Sequence, residues 1–170
     1  EDRRRSRAAK RAVPSVRVHR APFLMIRRPP TSTLFPYTAL FRSAAAGVIG
    51  GKFYVAGGND ESGHHAYLDV YDPATNTWTT KASLPTPRSN SAIGVLDGKI
   101  YVASGGSTTA VEVYDPATDS WSSDEPLPAV RYGSVGAVVA DTFYAIGGTQ
   151  TDTVYAYTQS VAGDTQDVTV

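Results

Sequence analysis

The sequence predicts an all-β fold built from repeated four-stranded antiparallel units, on three observations. Tyr71-Asp72-Pro73-Ala74-Thr75-Asn76-Thr77-Trp78 recurs as Tyr114-Asp115-Pro116-Ala117-Thr118-Asp119-Ser120-Trp121, 43 positions later. Three short apolar runs, FYVAGG, IYVASGG and FYAIGG, close on the glycine pairs Gly57-Gly58, Gly105-Gly106 and Gly147-Gly148. Runs of this length, rich in Val, Ile, Tyr and Phe and bounded by turn residues, are strands. A repeat of this period is one supersecondary unit stacked on copies of itself.

The second unit is the clearest. Residues 91–96 are its innermost strand, small and apolar throughout. Asp97-Gly98 is a two-residue hairpin turn, and 99–103 return as the second strand. Residues 110–114 follow as the third. Asp115-Pro116 begins a type I turn, where Asp bonds the following backbone and Pro pre-sets φ, and 121–123 begin the outer strand. Gly105-Gly106 allows positive φ where a side chain would collide. Tyr114 and Trp121 are expected to fill the gap between neighbouring units; Tyr71 and Trp78 are the matching motif residues one repeat earlier. The first unit follows the same plan from Ala44 onward. The third has strands at 134–139, 142–146 and 153–157, after which the chain reads TQSVAGDTQDVTV, without an Asp-Pro turn or a Trp.

The double glycine after a β-rich run, the Tyr-Asp-Pro turn at Tyr71-Asp72 and Tyr114-Asp115, the Trp beyond it and the Leu-Pro segments Leu84-Pro85 and Leu127-Pro128 together resemble the kelch repeat, over about residues 44–157. The resemblance implies a β-propeller of four-stranded antiparallel blades, here a partial one: two nearly complete blades and three strands of a third. Propellers of this family often close by taking one strand of the last blade from the opposite end of the chain. The missing outer strand is therefore expected to have its partner in an amino-terminal part that is lost, and the chain to be a fragment of a larger propeller.

Composition divides the chain. Residues 1–43 hold eleven of the sixteen Lys and Arg and only Glu1 and Asp2 as acids, whereas the remainder carries five basic and fourteen acidic groups. The basic segment has neither helical nor strand period. Residues 25–43, MIRRPPTSTLFPYTALFRS, resemble a translated sequencing adapter, MIRRPPRSTLFPYTTLFRS, departing from it only at Thr31 and Ala39. Residues 1–43 are accordingly expected to be non-native and disordered, 44–158 to be kelch repeats, and 159–170 a tail. Set aside in this way, the Arg clusters imply no nucleic-acid partner. No apolar run approaches the roughly 20 residues that cross a bilayer, so no membrane partner is expected either.

The absence of cysteine excludes disulfides, thiolate zinc sites and cysteine nucleophiles. No carboxylate pair or activated nucleophile is identifiable from spacing, and Asp72, Asp97, Asp115 and Asp141 occupy turns. The chain is therefore expected to be a non-catalytic binding module without cofactor or metal, taking a protein or carbohydrate partner. The alternatives are a fragment of a kelch-propeller enzyme such as a sialic-acid epimerase, or a secreted structural or surface protein. An acidic, cysteine-free composition rich in Thr, Ser and Asp favours a secreted or extracellular prokaryotic setting.

Strand order places the loops leading into each inner strand on the same face as those joining the second and third strands. Arg88, Asn90, Arg131 and Tyr132 are thus expected to share a face with residues 59–66, including Asn59, His64 and His65, and with 107–109. Arg88 and Arg131 are the only arginines after position 43. Their planar guanidinium forks suit either a carboxylate ligand or neighbouring loop carbonyls.

Overall fold

A computed structural model describes residues 42–149 and 152–158, all within the compact unit Phe35–Val170. Residues 1–41 and the tail from 159 lie outside the described residues, and with them most of the adapter-like stretch. The first blade is β1 (Ala45–Ile49), β2 (Lys52–Ala56), a short hairpin β3 (Asn59–Asp60) and β4 (Gly63–His64), then β5 (Leu68–Asp72) and β6 (Thr77–Thr80). The second is β7 (Ala92–Leu96), β8 (Lys99–Ala103), β9 (Val111–Asp115) and β10 (Ser120–Asp124). The third is β11 (Val135–Val139), β12 (Thr142–Ile146) and β13 (Val154–Thr158). Each blade is an antiparallel meander, ordered β1-β2-β5-β6, β7-β8-β9-β10 and β11-β12-β13. The all-β, bladed architecture expected from the repeat is therefore the observed one. The β3–β4 hairpin inside the first blade's connection was not foreseen; with two residues per strand it is too short to leave a period in the sequence.

Turn chemistry accounts for the meanders. Asp97 and Gly98 both take positive φ, 49° and 72°, as a two-residue hairpin between right-twisted strands requires. Asp72 Oδ1 accepts from Ala74 N at 2.9 Å and Asp115 Oδ1 from Ala117 N at 2.8 Å. The same two carboxylates pair with Lys52 and Lys99 across the blade at 3.0 and 3.1 Å, and both are held below the usual carboxylate range by these bonds. One detail departs from the expected repeat. The residue matching Gly57 and Gly147 in the second blade is Ser104, not Gly105. Ser104 N bonds Ala110 O as Gly57 N bonds Tyr67 O and Gly147 N bonds Thr153 O. Ser104 sustains φ 54° because its Oγ, fully buried, donates to the backbone and accepts from Arg131 N at 2.7 Å.

Two cores lie between blades. Tyr54, Leu68 and Val70 of the first blade meet Ile100, Val102 and Tyr114 of the second, with Leu84 of the linker between them. Tyr101, Val111 and Val113 on the other side of the second blade meet Phe143 and Ala145 of the third, with Leu127 in Leu84's place. Tyr114 is fully buried and donates to Asp119 at 2.8 Å, and Trp121 Nε1 reaches back across the first core to Ala82 O at 2.8 Å. Tyr71 makes the equivalent bond to Asn76 at 2.9 Å and packs on Trp78. Repetition of the sequence octad is thus repetition of one packing device.

Candidate binding surface on the loop face

The loops at one end of the blades are joined by backbone bonds that follow the repeat. Gly58 N donates to Arg88 O (2.8 Å) and Gly105 N to Arg131 O (2.9 Å), tying each blade to the lead-in of the next. Asn59 N to Arg42 O (3.0 Å), Gly106 N to Ser89 O (2.9 Å) and Thr149 N to Tyr132 O (2.9 Å) tie each lead-in to its own blade. A third set runs between lead-ins, Asn90 N to Ser43 O (2.8 Å) and Gly133 N to Asn90 O (3.0 Å). Arg42 and Ser43 take part although they fall inside the stretch expected to be non-native. Their contribution is a main-chain carbonyl, which every residue supplies.

The expected face does bring Asn59, His64, His65, Arg88, Asn90, Arg131 and Tyr132 to one end of the blades, but it divides them by depth. Arg88 is 1% exposed. Its Nη1 donates to Ala110 O (2.9 Å), Ser104 O (3.2 Å) and Val102 O (3.4 Å), and its Nε to Thr86 O (3.2 Å). Nη2 lies 2.7 Å from Glu112 Oε2, as an ionic contact without hydrogen-bond alignment. Burial pulls the Arg88 pKa down and the Glu112 carboxylate opposes it. Arg131, 4% exposed, occupies the same place in the next blade, but there Tyr155 stands where Glu112 does. The Arg131 guanidinium lies 4.7 Å from the Tyr155 ring centroid and donates to Gly147 O at 3.3 Å. Both forks therefore point into the fold, at loop carbonyls. Of the two uses these forks suit, bonding to neighbouring carbonyls is the one observed, and both guanidiniums lie below the surface.

The exposed members are different. Tyr132 is 45% exposed, although its backbone is fixed by the Thr149 bond and by a second one from Thr149 Oγ1 at 2.8 Å. His64 is exposed and sits over Gly106, with Nδ1 3.0 Å from Ser89 Oγ. Asn90 Nδ2 donates to the same hydroxyl at 3.2 Å. His65 turns away to Asp60 (2.8 Å) and stacks on Tyr67 at 5.0 Å. The two adjacent histidines thus have separate partners, and no cluster of three potential metal ligands forms among the described residues. Ser89 is 1% exposed, with its hydroxyl held between His64 and Asn90.

Ser89 and Glu112 were missed at the sequence level. Glu112 did leave a signal: an acid inside the apolar strand Val111-Glu112-Val113-Tyr114 needs a buried partner. Asp69, at the matching place in the first blade, accepts from Thr80 Oγ1 at 2.7 Å.

The β3–β4 hairpin that carries His64 is closed by Asp60, which accepts from Ser62 N and Oγ at 2.7 and 2.6 Å. These bonds, with His65 beside them, hold the Asp60 pKa down to about 2, from 3.8. Folding lowers this pKa, so the contribution to the hairpin is complete above 3.8 and is lost as pH falls through about 2. The Ser62 amide resonance is expected to shift with a midpoint near the lower value. A midpoint at 3.8 would show that Asp60 does not close the turn.

Comparison with known proteins follows the same repeat. The sequence pattern of the kelch motif matches residues 41–85 and 87–128. Kelch-like ECH-associated protein 1A of Danio rerio is 43% identical over 65 residues, 34% of this chain and 10% of that protein. Alpha-scruin of Limulus polyphemus is 40% identical over 62 residues, covering 36% of this chain and 7% of that protein. An F-box/kelch-repeat protein of Arabidopsis thaliana is 37% identical over 68 residues, 39% of this chain and 18% of its own length. The chain therefore spans less than a fifth of each of these relatives.

Proposed function

The chain belongs to the kelch motif family, and from that premise we propose that it is a non-catalytic binding module, one arc of a propeller, whose loop face docks a protein partner. The observation that carries this reading is Tyr132: a large aromatic side chain, half exposed, on a lead-in whose backbone is bonded on both sides. Rigid, exposed aromatic residues lose little entropy on binding and are enriched among the residues that dominate interfaces. His64 and Asn90 supply donors and acceptors beside it, steadied by Ser89. The burial of Ser89 and of both arginines supports binding over catalysis. It also moves the recognition chemistry from charge to aromatic packing and neutral hydrogen bonds.

A displayed library of random peptides, selected on the chain, tests this. Tyr132→Ala is expected to weaken the selected peptides about tenfold or more. Lys52→Ala and Lys99→Ala, at the first positions of β2 and β8 and paired with Asp72 and Asp115, should leave them unchanged. Equal losses from all three variants, or selection of nothing but sugars from a parallel glycan array, would remove this face as a protein-docking surface.

A further inference from the structure

One junction between blades is roofed on the loop face, and the next is open. Gly57 N bonds Tyr67 O across the first blade's connection, and Ser104 N bonds Ala110 O across the second's. The first connection is the longer, and its β3–β4 hairpin lays the His64 ring over the lead-in of the second blade. A Cβ on Gly106 would lie 3.5 Å from His64 Cδ2 and 3.6 Å from Nε2. Ser89 and Tyr132 hold matching places in their lead-ins, accepting from Gly106 N and Thr149 N. Ser89, under the hairpin, is 1% exposed, whereas Tyr132 is 45% exposed.

Hydrogen-bond polarity fixes the charge that this roof tolerates. Ser89 Oγ has one proton to give, and it accepts from Asn90 Nδ2 at 3.2 Å. Among the described residues it makes one other hydrogen bond, with His64 Nδ1 at 3.0 Å. The hydroxyl proton therefore goes to that nitrogen, and the ring is neutral with its own proton on Nε2. A second proton, on Nδ1, would turn the acceptor into a donor. Two N–H groups would then converge on Ser89 Oγ, leaving the hydroxyl proton unpaired in a buried place, a larger penalty than the loss of a bond that water replaces. The neighbouring charges are engaged elsewhere or face solvent. Residues 104–110 include no ionisable side chain. Arg88 is turned to Glu112 and Arg131 to the Tyr155 ring. Asp60 is taken by Ser62 and His65, and Glu61 is exposed in the hairpin turn. His65, once protonated, is drawn more strongly to Asp60, so the two adjacent histidines respond to acid in opposite ways.

We propose that protonation of His64 lifts its ring from Ser89 and Gly106, which makes this part of the loop face a pH-gated surface, roofed while His64 is neutral and open once it is charged. The seated ring excludes the second proton, so seating is favoured as pH rises and lost as pH falls through the histidine range. The movement is confined to the side chain, because His65 N bonds Gly58 O at 2.9 Å and Arg88 N bonds His65 O at 3.0 Å, pinning the base of the hairpin. Lifting uncovers the Ser89 hydroxyl and the Gly106 backbone on the face that also displays Tyr132. The consequence for a partner rests on the docking reading above, whereas the movement of the ring does not.

Nuclear magnetic resonance of the full chain at about pH 8 and about pH 5, on either side of the histidine range, tests this. At the higher pH the ring nitrogens of His64 should report the Nε2–H tautomer, with a nuclear Overhauser contact between the ring and the Gly106 α-protons. At the lower pH that contact should fall about tenfold or more. The fall should survive His65→Gln and disappear in Ser89→Ala, which removes the hydroxyl that the charged ring opposes. A protonated ring that keeps its contact with Gly106 overturns the proposal, as does the Nδ1–H tautomer at the higher pH. So does a change abolished by His65→Gln, which would assign it to the Asp60 pair. Peptides selected on the chain at the higher pH should bind about tenfold more weakly at the lower one, and Ser89→Ala should remove this dependence. A ring that lifts without any effect on peptides supports the switch and counts against docking at this face.

Discussion

Glu112→Ala is expected to destabilise the fold by about 3–5 kcal/mol, because it leaves the Arg88 guanidinium buried with no counter-charge. The carbonyls of Val102, Ser104 and Ala110 still accept from Arg88, yet they do not neutralise it. Thr86 Oγ1 also loses the carboxylate it donates to at 2.7 Å. The measurement is the urea midpoint with its slope, at one protein concentration. The paired replacement Arg88→Met with Glu112→Leu removes both charges and keeps the volume, and it should recover most of the loss, since apolar substitutes for a buried pair are often neutral or stabilising. A single Glu112→Ala loss below about 1 kcal/mol, the range of exposed ion pairs, would mean that water reaches the pair and that Arg88 is open to ligands after all. The matching change in the third blade, Tyr155→Ala, uncovers a guanidinium that has a ring rather than a carboxylate beside it, so it should cost less.

Gly136→Val is expected to separate the third blade from the second, with a loss of about 3 kcal/mol or more and of its share of the cooperative transition. A Cβ at Gly136 would overlap the backbone oxygen, nitrogen and carbon of Ile93. A side-chain collision can be relieved by a new rotamer, but this one can be relieved only by moving β7 away from β11. The core formed by Val111, Val113, Phe143 and Ala145 depends on that approach. Ala137→Ser, one residue on and facing outward, is the control and should stay within about 0.5 kcal/mol. Hydrogen exchange resolves the two outcomes. Early loss of protection confined to β11, β12 and β13 is the expected pattern, whereas uniform loss would show that the blades unfold as one and that the contact at Ile93 has no special place.

Much of this was legible before any coordinates, and the reason is the range over which each interaction acts. The strands of the second blade, the Asp97-Gly98 turn, the Asx bonds of Asp72 and Asp115 and the stacking of Tyr114 with Trp121 follow from residues within a few positions of one another. Repetition then confirmed each by a second copy, so short-range rules sufficed. The grouping of Asn59, His64, Asn90 and Tyr132 at one end also followed, because alternation of strand direction dictates which loops share a face. The depth of each side chain at that end was decided only by the tertiary structure. Arg88 and Arg131 read identically in the sequence and both turned inward, one onto Glu112, 24 positions on, the other onto Tyr155 at the same spacing. Ser104 took a glycine's place because Arg131, far along the chain, supplies the amide that steadies it. Gly94 and Gly136 look alike as small residues of inner strands, yet one receives a side chain and the other a backbone. Those differences come from contacts between blades, where close packing selects one partner by shape, and shape is a property of the assembled surfaces rather than of spacing along the chain.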